Sequence, residues 1–318
     1  MPSWQARLFS LVSYLTIKRR ANTEVADEIA GAKLVRKLFE PPDFLRPKTP
    51  DGVRIQPVTD WGVHGEWIES ADNERLVYYM HGGGYVACSP VTHRGFTTAL
   101  SLAAKAKILS LNYRLAPEEK FPGAVEDAVG GYRLLLDKGY SAKKIVIGGD
   151  SAGGGLAVAA MMAIRDRGLP APAAAFLLSP WTDLAATGDS IVTNDPVDPM
   201  LSGKMVGQLA ALYYGESSPT NPLVSPLYGD FKGLPPMRIY VSDTEILLDD
   251  SRRLAERAQQ QGVTVDLRIW HKLPHVWPIF VHLGIPESKA ALGEIAEFVM
   301  QQTGEQTSQP QTKAAVAN

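Results

Sequence analysis

Apolar and polar positions change their period repeatedly along this chain. Short runs rich in β-branched and aromatic residues alternate with longer stretches in which apolar residues recur every three or four positions. The short runs predict strands at 76–80, 108–113, 144–148, 174–179, 238–242 and 265–270. The longer ones predict helices at 91–106, 124–138, 152–167 and 250–261, the last stopped by Gly262. Such alternation predicts an α/β protein whose mainly parallel central sheet is covered by helices on both faces.

Three segments depart from the rhythm. Near the start, Trp4, Leu8, Leu11 and Leu15 recur at spacings of four, three and four, one face of a helix, and are expected to pack on the protein's own body, docking on a membrane surface being the alternative. The apolar-rich run at 8–17 is ten residues long, short of the roughly 20 that span a bilayer. Its basic residues Lys18, Arg19 and Arg20 follow it, the wrong side for a secretory signal. Between 183 and 229 no strand is predicted and prolines crowd, while Val206, Leu209, Ala210 and Tyr213 mark one short amphipathic helix. An insertion of this kind between two strands predicts a lid or cap. The end, 303–318, is rich in Gln, Thr, Ser and Ala without a hydrophobic period, and is expected to be disordered.

Composition narrows the function classes. The 318 residues carry 32 Lys+Arg against 34 Asp+Glu, so the net charge of -2 leaves no electrostatic footprint for nucleic acid. One cysteine, Cys88, makes no internal disulfide, and no Cys/His cluster has metal-site spacing. A cytoplasmic protein without stable membrane insertion is expected.

The chemistry concentrates at two glycine-rich turns. Gly149-Asp150-Ser151-Ala152-Gly153 has the form G-x-S-x-G directly between a predicted strand and a predicted helix. Such a turn holds its serine strained and exposed, and Gly153, Gly154 and Gly155 let the helix approach the sheet. His81-Gly82-Gly83-Gly84 follows another strand, where glycine amides can converge on a developing oxyanion. A phosphate cradle is the competing reading, but the G-x-x-x-x-G-K-[ST] lysine is absent.

These motifs, with Tyr113-Arg114-Leu115-Ala116-Pro117-Glu118, Phe121-Pro122, Ser225-Pro226-Leu227 and Leu234-Pro235-Pro236, resemble the hormone-sensitive-lipase-like carboxylesterases of the α/β-hydrolase fold. The motifs run in family order from about residue 50 to 300. The resemblance implies a Ser-acid-His triad, no metal or organic cofactor, a cap built from the N-terminal helices plus the insertion, and a small ester as substrate. It is also compatible with a homodimer. The expected division is a catalytic core at 46–182 and 230–302 with a cap at 1–45 and 183–229.

Chain order in this fold is serine, acid, histidine. Of the late histidines, His271 abuts a strand, whereas His275 lies in the loop beyond it and is where the family places its base; His271 and His282 are read as surface or packing residues. The acid ranks as Glu245 first, then Asp249, then Asp243, because Glu245-Ile246-Leu247 stands where the family has an aspartate in a D-P-L-like context. Asp249 has the competing role of a helix cap. The oxyanion donors are the amides of Gly83, Gly84 and Ala152. His81 is expected to orient the glycine loop, Asp150 to bind neighbouring backbone, and Cys88 to be inert. Tyr85, Leu209 and Tyr213 are candidate pocket walls, core packing being the alternative for Leu209 and Tyr213. The activity expected is hydrolysis of short- to medium-chain acyl esters. An amide-cleaving, arylformamidase-like enzyme is the alternative, and a non-catalytic binding protein on this fold is a second.

Overall fold

The computed structural model of the protein describes residues 1–21, 28–40, 47–70 and 75–304. Eight strands form one sheet: β1 (Arg54–Val58), β2 (Gly65–Glu69), β3 (Arg75–Met80), β4 (Ala106–Leu111), β5 (Ile145–Asp150), β6 (Ala174–Leu178), β7 (Met237–Ser242) and β8 (Val265–Trp270). Their order is β1-β2-β4-β3-β5-β6-β7-β8. The pairs β1–β2 and β2–β4 are antiparallel, and every later pair is parallel. All six predicted strands are present. β1 and β2 were not expected from the sequence, and the reason is local. Their runs contain Pro57 and Gly65; β1, at the sheet edge, is largely exposed, and β2 buries only Trp67 and Ile68, so neither shows a long apolar run.

The helices are α1 (Trp4–Ser13), extended by a π turn at Tyr14–Lys18 into α2 (Arg19–Ala21), then α3 (Glu28–Phe39), α4 (Pro90–Ala104), α5 (Gly123–Asp137), α6 (Ala152–Asp166), α7 (Ser190–Thr193), α8 (Gly203–Tyr214), α9 (Leu248–Gln260) and α10 (Pro286–Thr303). Alternate strand residues feed two separate cores. On one face Leu76, Tyr78, Met80, Ile147 and Leu177 meet α5, α6, α8 and α9. On the other, Val77, Tyr79, Val146 and Phe176 meet Phe96 and Leu100 of α4 and Ile295 and Val299 of α10. Both faces are covered, as a parallel sheet requires.

Register sets where the loops gather. Met80 lies opposite Gly149, and Asp150 opposite Leu178, so β3, β5 and β6 end side by side. Ligands of open α/β sheets bind beyond these carboxyl ends.

Two expectations are corrected. The stripe Trp4, Leu8, Leu11 and Leu15 does not pack inward: its members are 64, 51, 55 and 47% exposed. Ala6, Phe9, Ser13 and Ile17 face the body instead, Phe9 lying 4.4 Å from the Phe280 ring. Helical spacing identifies a face, and it cannot tell which face meets the core. At the other end Thr303 closes α10, is buried, and takes a 2.8 Å hydrogen bond from Lys144 Nζ on its carbonyl. The rest of the predicted tail, 305–318, lies outside the described residues, as do 22–27 and 41–45 of the expected cap. Among the described residues no helix is long and apolar enough to cross a membrane.

Candidate active site

Ser151 occupies the turn from β5 into α6 with φ 53° and ψ -122°, a conformation rare for any residue with a Cβ. Neighbouring backbone holds it there. Its amide donates to Leu178 O at 2.8 Å, and its carbonyl accepts from Gly155 at 3.1 Å and Trp181 at 2.9 Å. The turn also needs Gly153, where a Cβ would fall 2.1 Å from Met80 O and 2.4 Å from His81 O. Absence of that side chain lets α6 begin directly against the end of β3.

The loop after β3 is shaped by the same close packing. Gly83 has φ 116°, and its carbonyl accepts from Val86 (3.1 Å) and Ala87 (2.9 Å). Among the described residues no protein acceptor takes the amides of Gly83, Gly84 or Ala152. Asp150 ties this loop to the serine turn: its carboxylate accepts from Gly82 N at 2.9 Å and Tyr79 OH at 2.6 Å, and lies 3.2 Å from His93 Nε2. Burial alone would raise the Asp150 carboxyl, but His93 and the Tyr79 hydroxyl hold it below the ordinary carboxylate range. His81 stacks on Tyr113 with ring centroids 4.3 Å apart and places Nδ1 2.7 Å from Gly82 O. Burial pushes its pKa down to about 3, so it stays neutral in the wall of this loop.

Glu245 and His275 meet across the ends of β7 and β8. His275 Nδ1 is 2.5 Å from Glu245 Oε2. The other carboxylate oxygen accepts from Ser179 Oγ at 2.8 Å and from Ser242 N at 2.7 Å. Both side chains are buried. Burial alone would depress the imidazole pKa; the Glu245 carboxylate, with Asp198 and Asp150 farther off, outweighs it and holds the pKa above the ordinary value. His275 Nε2 is buried with no hydrogen-bond partner among the described residues.

A cavity of about 1170 Å³ brings these groups together, lined by Ser151, His275, Gly83, Gly84 and Asp150 among others. Its walls are mostly apolar: Trp181, Met205, Val206, Leu209, Phe9 and Phe280. Of the expected wall residues only Leu209 lies on it. Tyr85 and Tyr213 stack on each other behind the glycine loop, with centroids 3.7 Å apart and planes 6° from parallel. Positive φ at Tyr85 turns its ring away from the cavity and into the core. Asp249 accepts instead from Ser190 N at 2.8 Å, and Asp243 is occupied by His271 at 2.6 Å and Lys272 N at 2.7 Å. Cys88 lines the cavity, and burial raises its thiol to about 12, leaving it protonated. Among the described residues no cluster of His, Cys, Asp and Glu could hold a metal ion.

Sequence reasoning missed three supports of the Glu245 loop. Ser179, at the end of β6, could have been found from its position after a strand. Asp198 and Asn194, both in the insertion, carried no local signal. Asp198 accepts from Ile246 N at 2.9 Å, and Asn194 Nδ2 donates to Glu245 O at 2.8 Å.

A mainly parallel eight-stranded sheet, with a serine strained at a strand-to-helix turn and a histidine–carboxylate pair beyond the neighbouring strand ends, defines an α/β hydrolase. Residues 77–279 match the alpha/beta hydrolase fold family. An acetyl-hydrolase of Streptomyces hygroscopicus is 43% identical over 241 residues, 76% of this chain and 80% of that protein. Among solved structures, an esterase from the bacterial hormone-sensitive lipase family is 41% identical with a TM-score of 0.86, covering 96% of this chain and 100% of that one. An esterase soaked with p-nitrophenyl butyrate is 37% identical with a TM-score of 0.87, covering 95% and 99%. The chain belongs to the α/β-hydrolase fold family, in its hormone-sensitive-lipase-like branch, and is a carboxylic ester hydrolase.

Proposed function

We propose that Ser151, His275 and Glu245 form the catalytic triad of a carboxylesterase for short- to medium-chain acyl esters. The observation that carries this reading is the 2.5 Å contact between His275 Nδ1 and Glu245 Oε2 in the cavity wall that also holds Ser151. His275 Nε2 takes the Ser151 proton as Oγ bonds to the ester carbonyl carbon, and the amides of Gly83, Gly84 and Ala152 hold the resulting oxyanion. Collapse breaks the bond to the alkoxy oxygen, which leaves as the alcohol with the proton from His275. Water, deprotonated by the same imidazole, then attacks the acyl-serine and releases the acid. Glu245 fixes the tautomer and stabilises the imidazolium, so Ser179 and Ser242, which hold Glu245, act one step behind it.

Acyl length is assigned on the size and apolar lining of the cavity, and the p-nitrophenyl butyrate soak of a similar esterase supports it. The N-terminal segment 1–45 and the insertion 183–229 make the cap in this reading. Lys18 joins the two, donating to Asp198 O at 2.8 Å and to Asp195 O, while Arg36 of α3 donates to Val86 O at 2.9 Å beside the glycine loop. The lone cysteine fits a cytoplasmic setting.

The test is turnover of p-nitrophenyl esters of increasing acyl length by the wild type and by Ser151→Ala and His275→Ala. Each variant is expected to lose activity by roughly a millionfold while keeping its fold. Turnover surviving in either variant, or faster cleavage of a formanilide than of the butyrate ester by the wild type, would overturn the assignment.

A further inference from the structure

The N-terminal helical run is both a wall of the ester cavity and an unpartnered apolar surface. Phe9, Thr16, Ile17 and Arg20 line the cavity. On the outer side Trp4, Leu8, Leu11, Val12 and Leu15 are between 45 and 64% exposed. Single exposed apolar residues are ordinary, but five on one helix face form a patch of the kind that marks a contact surface. The same stretch, Met1 to Ala21, contains Arg7, Lys18, Arg19 and Arg20 and no Asp or Glu. Lys18 is turned inward onto Asp195 and Asp198; Arg7, Arg19 and Arg20 are exposed. Lys33 and Lys37, one turn apart on α3, are also exposed and line the cavity, so with Arg20 the exposed cations on its wall outnumber the exposed acid there, Glu40.

We propose that this face docks the enzyme on the surface of a bilayer rich in anionic phospholipid, with the mouth of the ester cavity turned toward the lipid. The argument is charge complementarity joined to apolar exposure. An amphipathic helix with large apolar side chains on one side and basic residues flanking them settles at the headgroup boundary, drawn by acidic lipid and held by apolar burial. A second copy of the chain is the less fitting occupant, because a twofold contact through this face would set like charges against each other with no acid in the stretch to offset them. Since the whole chain carries a net charge of -2, the attraction is local to this face and is screened by salt within about 8 Å. The surface is independent of the proposed triad, so either reading can fail without the other.

The experiment is co-sedimentation of the full chain with vesicles of phosphatidylcholine alone and of phosphatidylcholine with a third phosphatidylglycerol, at low and high salt. At least fivefold more protein is expected on the anionic vesicles, with most of that excess lost at high salt. The double variant Leu8→Ser/Leu11→Ser, altered at exposed positions away from the cavity, is expected to fall to the level on neutral vesicles while hydrolysing soluble p-nitrophenyl acetate like the wild type. Arg7→Gln/Arg19→Gln is expected to halve the excess or more with the same unchanged turnover. Equal sedimentation of the wild type with both vesicle types, or wild-type binding by Leu8→Ser/Leu11→Ser, overturns the proposal. So does a wild-type dimer in sedimentation velocity that Leu8→Ser/Leu11→Ser converts to monomer, which would assign the face to a second copy.

Discussion

The carboxylate of Asp198, in the insertion, accepts a 2.9 Å hydrogen bond from the amide of Ile246, the residue immediately after Glu245. Its other oxygen accepts from Met200 N at 2.8 Å and Leu201 N at 2.9 Å, so one buried side chain fixes both the insertion and the loop carrying the proposed acid. Asp198→Asn places an amide group against one of these donors and removes a negative charge near His275. We expect kcat to fall about tenfold, equivalent to roughly 1.4 kcal/mol of barrier. The distinguishing readout is the pH profile: the acid limb of kcat/KM should move to lower pH, whereas a loss of packing alone would leave its midpoint in place.

In the proposed mechanism His275 must be neutral to accept the serine proton. Its pKa is held above the ordinary value of about 6.5 by Glu245, Asp198 and Asp150. The acid limb of kcat/KM for the wild type should therefore have its midpoint above pH 6.5. Stability runs the opposite way. A folded-state pKa raised above the unfolded value contributes stabilisation that is fully present below the unfolded pKa and is lost as pH rises through the folded one. Across that window activity should increase while the His275 contribution to Tm decreases, as paired rate and melting measurements in one buffer series will show.

Glu245→Gln should cost roughly three to four orders of magnitude in kcat, because the amide can no longer stabilise the imidazolium and can select the wrong tautomer. Asp249→Asn should stay within a fewfold of wild type, since Asp249 bonds Ser190 and does not reach His275. Ser179→Ala should fall between them, because Glu245 keeps its Ser242 amide contact. Comparable losses in Glu245→Gln and Asp249→Asn would contradict the assignment of the acid.

Gly83→Ala should lower both stability and turnover. The new Cβ would lie 2.1 Å from Ala87 O in a backbone with φ 116°, so the loop itself must move. A cost of about 1–3 kcal/mol is expected in urea unfolding. Gly84→Ala carries the left-handed strain of φ 64°, but its Cβ meets only the Leu209 side chain, at 2.7 Å, so a rotation there can relieve the contact and no backbone atom has to move. Its unfolding midpoint should lie closer to wild type.

What was legible in the sequence was whatever depends on short spacing. The six parallel strands, the serine turn, the glycine loop and the helices at their sides each occupy a few consecutive residues whose period or glycine content is imposed by backbone sterics. Of the two antiparallel strands, β1 escaped because an edge needs no continuous apolar run, and β2 because its buried apolar residues are only Trp67 and Ile68. The N-terminal stripe was visible as a face and misassigned in its direction.

By itself, then, the sequence determined the α/β sheet, the strained position of Ser151, and the candidate histidine and acid, since local backbone chemistry and chain order suffice for these. Only the tertiary structure decided which carboxylate meets His275, that Asp198 and Ser179 hold that carboxylate, that Tyr85 and Tyr213 stack behind the cavity, and that Trp4, Leu8, Leu11 and Leu15 look outward. Those relations join residues far apart in the chain. They are set by how the loops at the sheet's carboxyl edge pack against the insertion and the N-terminal helices, and no spacing along the chain encodes them.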